Sequence, residues 1–254
     1  MGALFTWEKY VANRRAGAPL RPLNPGNVVS LGVQLYRDGF SHYIPQAVIA
    51  YLWVLVPVYG WAKFYMLSAV LSRVAFQTLI DQPETIPQAR AKLRSRLWSF
   101  WGIAFRMGCA LYGIYILGVI VIAVAAVATF FINLILGGIL TAILFIGFLL
   151  LMIRFFSRWF VAELPLAVEN GVTGLQSFNR SWALTEKSVG RIQLVAFVGF
   201  LVTLPLTALT GYLPNILFTI FAPEFAVSPL ASIIVIAISL VGGILVMPFW
   251  QSLK

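Results

Sequence analysis

From Met107 to Ile153 the chain carries no formal charge for 47 residues. At 1.5 Å per residue one helix of that length would run about 70 Å, more than twice the roughly 30 Å hydrocarbon core of a bilayer. The run therefore predicts two helices folded back on each other, since only internally hydrogen-bonded backbone is tolerated where there is no water. Its least apolar point is Asn133, followed by Gly137 and Gly138, which places the outer turn between Phe131 and Gly138. A membrane β-barrel would instead show segments of about ten residues alternating in polarity, and the chain has none of that pattern.

Composition agrees with the bilayer. Of 254 residues 61% are hydrophobic and only 10% charged, with a mean hydropathy of +0.92, whereas an ordinary soluble domain is about 25% charged. Two further stretches read as hairpins. Residues 39–62 lack charge and predict one span ending in a turn at Pro57, Gly60 and Trp61. The return from Ala62 to Ile80 carries Lys63 near one end and Arg73 inside, which must either snorkel to the inner boundary, the favoured reading, or face the bundle. Ile192–Leu253 holds a single charge, Glu224, and is punctuated by Pro205, Pro214, Pro223 and Pro229. It predicts spans at about 192–212 and 230–251 with an outer loop whose Ile216–Phe221 segment lies against the membrane. Pro57 and Pro205 are the expected helix breaks. The fold class is thus an all-α transmembrane bundle of about six spans in three hairpins. Placing the turns 57–63, 131–138 and 212–230 outside leaves only Lys63, of eighteen basic residues, on that side. The positive-inside rule then puts both termini in the cytoplasm.

Three charged stretches read as amphipathic helices on the cytoplasmic surface. In 28–41, Val28, Leu31 and Leu35 with Tyr36 and Phe40 oppose Ser30, Gln34, Arg37 and Asp38. In 88–101, Leu93, Leu97, Phe100 and Trp101 form an apolar edge beside Arg90, Lys92, Arg94 and Arg96. In 172–188, Val172, Leu175, Phe178 and Trp182 share a face while Gln176, Asn179, Arg180 and Lys187 project elsewhere. At about 1 kcal/mol per basic residue beside anionic lipid, the middle segment alone supplies up to roughly 4 kcal/mol of attraction. Arg90, Lys92, Arg94, Arg96, Arg180 and Lys187 are therefore the expected surface for anionic lipid or a partner. The net charge of +10 does not argue for nucleic acid, because the basic residues border apolar runs where headgroups are nearer. Glu163, among Trp159, Phe160, Val161 and Leu164, needs a partner if buried. Arg158 and Arg180 are the candidates for that ion pair, with headgroup water as the alternative.

Residues 1–27, with Pro19, Pro22 and Pro25, read as a polar, basic cytoplasmic tail without the core of a secretory signal peptide. Met1, Gly2 and Thr6 fit the myristoylation pattern, a match six residues make by chance. The remainder, 28–254, reads as a single transmembrane domain. A shift of 148 residues superposes Asp38 on Glu186, Ile44 on Ile192 and Pro57 on Pro205, which suggests a parallel repeat of 28–60 in 176–208. One cysteine, Cys109, allows no intrachain disulfide or thiolate cluster. One histidine, His42, has no second imidazole to share a metal with. With eight carboxylates and no convergent set among them, the chain offers no catalytic residues, cofactor or metal site.

The segments VVSLGVQLYRDGF, YLWVLVPVYGWAKF and LPLAVENGVTGLQSFNRSWALTEKSVGRIQ resemble the bacterial glycerophosphoryl diester phosphodiesterase membrane-domain family, most of all its cyanobacterial members. The resemblance covers most of residues 28–251. It implies six helices in a bacterial inner membrane, plasma or thylakoid, and no assigned activity, since phosphodiester hydrolysis in relatives belongs to a separate soluble domain. Relatives continue past Pro-Phe-Trp-Gln into a basic tail, whereas this sequence stops at Lys254. The functional expectation is a non-catalytic scaffold or accessory subunit holding membrane lipids, a larger membrane complex or a homo-oligomer. A transporter or lipid-handling permease is the alternative.

Overall fold

The computed structural model describes residues 24–254 apart from 81, 83, 132 and 170, and among them there is no strand. Most of the tail expected over 1–27 lies outside the described residues. The chain forms two compact units, one of the residues up to Leu97 together with Leu194–Lys254, the other of Trp98–Gln193.

In the first unit α1 (Pro25–Asp38) opens with Asn24 accepting from the Gly26 amide and with Pro25 at a position that needs no donor. It covers the first predicted surface helix and buries Val29, Leu31 and Gly32. After Gly39 the chain continues as α2 (Phe40–Val54), turns through Leu55–Val58 and returns as α3 (Tyr59–Leu79). The turn falls next to the expected one at Pro57, Gly60 and Trp61, but the helix before it is shorter than the span expected from the charge-free run 39–62: α2 has only 15 residues, about 22 Å of rise. Pro57 does break the helix. Val58 takes φ 60° beside it, and Gly60 is required because a Cβ there would collide with the Trp53 carbonyl. Lys63 Nζ lies 5.1 Å from the Trp53 ring centre and 5.6 Å from that of Tyr59, so the lone basic residue of this end is held by cation–π contact.

The first unit's core is α3, buried continuously from Met66 to Ala75. A short α4 (Ile86–Arg94) packs on it, opened by a reciprocal capping box between Thr85 and Gln88. The surface helix expected over 88–101 is therefore interrupted: Ser95 and Arg96 form a turn and Leu97 starts the next helix.

The second unit holds α5 (Leu97–Phe130, its first residue in the other unit) and α6 (Leu134–Trp159). Their turn falls where the charge-free run placed it, with Asn133 accepting from the Ile135 and Leu136 amides. Apart from the buried Phe100, Ile103 and Ala104 and the last turn of α6, both helices present large apolar side chains outward, as lipid-facing helices do. The Trp159–Ala162 turn then leads to α7 (Glu163–Val168) and α8 (Gly174–Thr185), the latter opened by a capping box between Thr173 and Gln176.

The segment from Val189 to Phe221 is one helical run: α9 (Val189–Thr207), a π-helical turn (Ala208–Tyr212) and α10 (Leu213–Phe221). The helix break expected at Pro205 and the outer loop expected from residue 212 are corrected here: Pro205 lies inside α9, and the chain stays helical through a π turn that begins three residues later and on to Phe221. Thr207 Oγ1 donates to the Thr203 carbonyl (2.7 Å) and Thr210 Oγ1 to that of Leu206 (2.8 Å), supplying hydrogen bonds around the disturbed ladder. From α12 (Pro229–Leu253), which follows the single turn α11 (Pro223–Ala226), Ser239 Oγ donates to the Thr210 carbonyl at 3.2 Å. Gly242 makes that approach possible, since a Cβ would strike the Thr210 side chain. The last turn of α12 packs Phe249 and Leu253 with Val29 and Val195, and Ser252 Oγ donates to the Gly32 carbonyl at 3.0 Å.

Four segments among the described residues are long and apolar enough to cross a membrane: Leu97–Phe130, Leu134–Val168, Val189–Phe221 and Pro229–Leu253. The 148-residue shift carries 25–38 onto 173–186, close to α8, and residue 40 onto 188, one before α9; but Pro57 sits in a turn and Pro205 in a helix.

Candidate functional site

Within the first unit the beginning of α2, the end of α3, α4 and the end of α12 bring most of the buried polar side chains to one end. Arg73 Nε lies 2.7 Å from Glu84 Oε2, and the two side chains are each 8% exposed. Lys92 Nζ approaches Glu84 Oε1 at 2.9 Å from the solvent side. Of the two readings of Arg73 the inward one holds rather than the snorkelling one: it is buried and paired, because Glu84 lies just before α4 and α4 folds back along α3. Burial alone would raise the Glu84 pKa, but hydrogen bonds and charge from Lys92 and Arg73 outweigh it and hold the carboxyl below its ordinary range.

One layer deeper, Arg90 donates to the Gln46 Oε1 atom, and Gln46 Nε2 reaches the Leu67 carbonyl at 3.5 Å. Gln251 accepts from Ser72 Oγ and donates to Ser68 Oγ, joining α12 to α3. Of the four basic residues expected to form one surface, Arg90 thus turns to Gln46 and Lys92 to Glu84. Arg94 is exposed and Arg96 half-buried.

Beside this cluster a cleft of about 590 Å³ opens between the α1–α2 junction and the connection from α3 to α4. Leu35, Pro45, Val74 and Ile86 give it apolar walls, and Asp38, His42 and Glu84 line it as well. The lone histidine therefore faces a cavity rather than merely a boundary.

In the second unit α8 is docked the opposite way from its apolar stripe. Its buried face is Gly174, Ser177, Ser181 and Thr185. Ser177 Oγ donates to the Ala162 carbonyl (2.7 Å) and accepts from the Leu166 amide (3.0 Å), while Ser181 Oγ donates to the Arg158 carbonyl at 2.8 Å. These are backbone groups at the interruption between α6 and α7, so the hydroxyl face repairs a broken ladder. Leu175 and Trp182 consequently stay 58% and 41% exposed. Phe178 stacks on Trp159 at 5.0 Å.

Arg158 is buried, donates to the Trp182 carbonyl at 3.0 Å and lies 4.7 Å from that residue's ring centre. Arg180, expected beside Glu163, lies 3.4 Å from Glu169; Glu163 opens α7. Arg106, Arg154, Arg180 and Lys187 are exposed in this unit. Sequence reading missed Glu84, Gln46 and Gln251. Their signal was polarity beside apolar runs, which does not name a partner.

Among the described residues no three of the His, Cys, Asp and Glu side chains are grouped to hold a metal. Among the described residues, helices without strands, four of them membrane-competent, define an all-α membrane protein. No protein-family profile, curated protein or solved structure matches the chain.

Proposed function

We propose that this is a non-catalytic bacterial inner-membrane protein, a scaffold or accessory subunit that holds anionic lipid at its cytoplasmic surface. The observation that carries the reading is the docking of α8. An amphipathic helix that buries its hydroxyls and exposes Leu175 and Trp182 needs an apolar cover, and the exposed cations Arg180 on that helix and Lys187 in the turn after it suit a layer of anionic headgroups. The resemblance to the glycerophosphoryl diester phosphodiesterase membrane-domain family belongs to this reading. So do six crossings with both termini cytoplasmic, where α2 and α3 add a short hairpin to the four longer segments. Lipid co-purifying with the protein in mild detergent, counted by native mass spectrometry, tests it: Arg180→Gln with Lys187→Gln should lower retained anionic lipid several-fold and weaken its salt dependence. Unchanged retention rejects the lipid role.

A second reading, a permease, is favoured by the Pro205 and π-turn irregularity in an otherwise continuous apolar helix, the kind of backbone break found at transport sites. Substrate flux into proteoliposomes that is abolished by Pro205→Ala would favour it over the scaffold.

A further inference from the structure

We propose that the cleft beside Asp38 and Glu84 binds a primary ammonium group carried on an apolar stem, presented by a lipid headgroup or by a free alkylamine. This goes beyond the anionic-lipid surface of α8 and does not rest on it. The first argument is size and lining. About 590 Å³ is the volume of a small-molecule pocket, and Leu35, Pro45, Val74 and Ile86 offer an apolar path rather than a hydrated one.

The second argument is charge. In a chain with eighteen basic and eight acidic residues, this cleft is lined by two carboxylates and by no lysine or arginine among its described residues. Arg73 and Lys92 hold Glu84 but are not among the lining residues. They offset the Glu84 charge, so the recognising anion is Asp38, whose neighbour Arg37 touches it only at 3.5 Å with both side chains more than half exposed. Helix ends do not decide the sign: α1 and α3 end at the cleft while α2 and α4 begin there, and their dipoles oppose. The carboxylate therefore sets the preference for a cation. A primary amine suits it better than a quaternary one because it can also donate hydrogen bonds.

The third argument is location. The cleft lies at the end of the first unit where α3 finishes and α4 carries Lys92 and Arg94, which is the membrane–water boundary by charge. A ligand with a charged head and an apolar tail partitions to that depth.

The test uses the purified full-length protein in maltoside detergent, titrated calorimetrically with n-octylamine and with 1-octanol, and probed by native mass spectrometry with short-chain phosphatidylethanolamine and phosphatidylcholine. Octylamine should bind more tightly than octanol. Asp38→Asn should weaken octylamine roughly tenfold, the value of one charge-assisted hydrogen bond, and leave octanol unchanged. Ser41→Trp, which fills the cleft from an exposed position, should abolish both. Retention of phosphatidylethanolamine over phosphatidylcholine would assign the ammonium to a lipid, and octylamine binding without that preference would assign it to a free amine. Equal affinity for octylamine and octanol, or octylamine binding that ignores both substitutions, overturns the proposal.

Discussion

Arg73 Nε lies 2.7 Å from Glu84 Oε2 across the junction of α3 and α4, with both side chains almost fully withdrawn from solvent. Removing one partner of such a pair leaves a buried charge uncompensated, which typically costs about 3–5 kcal/mol, whereas removing both with apolar replacements of similar size costs far less. Glu84→Gln and Arg73→Met should each lower stability by that order in reversible unfolding from mixed micelles. The double variant should recover much of the loss, and simple additivity would contradict the pairing.

The same carboxylate makes an acid-sensitive contribution. Its folded pKa is lowered from the ordinary value of 4.5, so the stability it confers is fully present above that value. It is lost as pH falls through the lower, folded pKa. Thermal midpoints in detergent should thus drop on acidification below about pH 4 more steeply for the natural protein than for Glu84→Gln. Parallel curves would show that Glu84 does not carry the effect.

Gln251 ties α12 to α3 through Ser68 and Ser72. Interhelical hydrogen bonds in membrane proteins contribute roughly 0.6–2 kcal/mol, because the separated helices also find partners. Gln251→Leu should cost about that much, and adding Ser68→Ala with Ser72→Ala should cost little more. A full further loss from the serines would mean that they act on something other than Gln251.

Ser177 and Leu175 occupy opposite faces of α8 and should fail differently. Ser177→Val leaves the Ala162 carbonyl and the Leu166 amide without their bridging hydroxyl, a loss of roughly 1–3 kcal/mol, and limited proteolysis should then cut between Glu169 and Thr185. Leu175→Ser should keep the helix docked but reduce quenching of Trp182 fluorescence by brominated lipid. Identical protease patterns for the two variants would refute the assignment of faces.

Topology has a direct test. In a Cys109→Ser background, a cysteine placed at Asn133, in the turn between α5 and α6, should react with an impermeant thiol reagent from outside intact cells if, as proposed, both termini are cytoplasmic. Labelling only after permeabilisation would place that turn in the cytoplasm.

Hydropathy and charge spacing determined much of this protein without any tertiary information. The length of the charge-free run between Met107 and Ile153 required two helices rather than one, and Asn133 marked the turn between them because few other side chains there can cap a helix. The apolar composition is likewise a property of the chain alone. Tertiary structure decided what polarity patterns leave open. Periodicity shows which residues share a face of α8, but in a membrane protein the apolar face is solvated by lipid, so the hydroxyl face can be the one that packs. Pro205 was legible as a disturbance, but not that the helix continues past it through a π turn on which Ser239 and Gly242 pack. Arg73 looked like a residue reaching for water because its partner is eleven positions away and an intervening turn brings Glu84 back. Ion pairs depend on distances of a few ångströms, and those are fixed by how helices fold onto one another rather than by the order of residues along them.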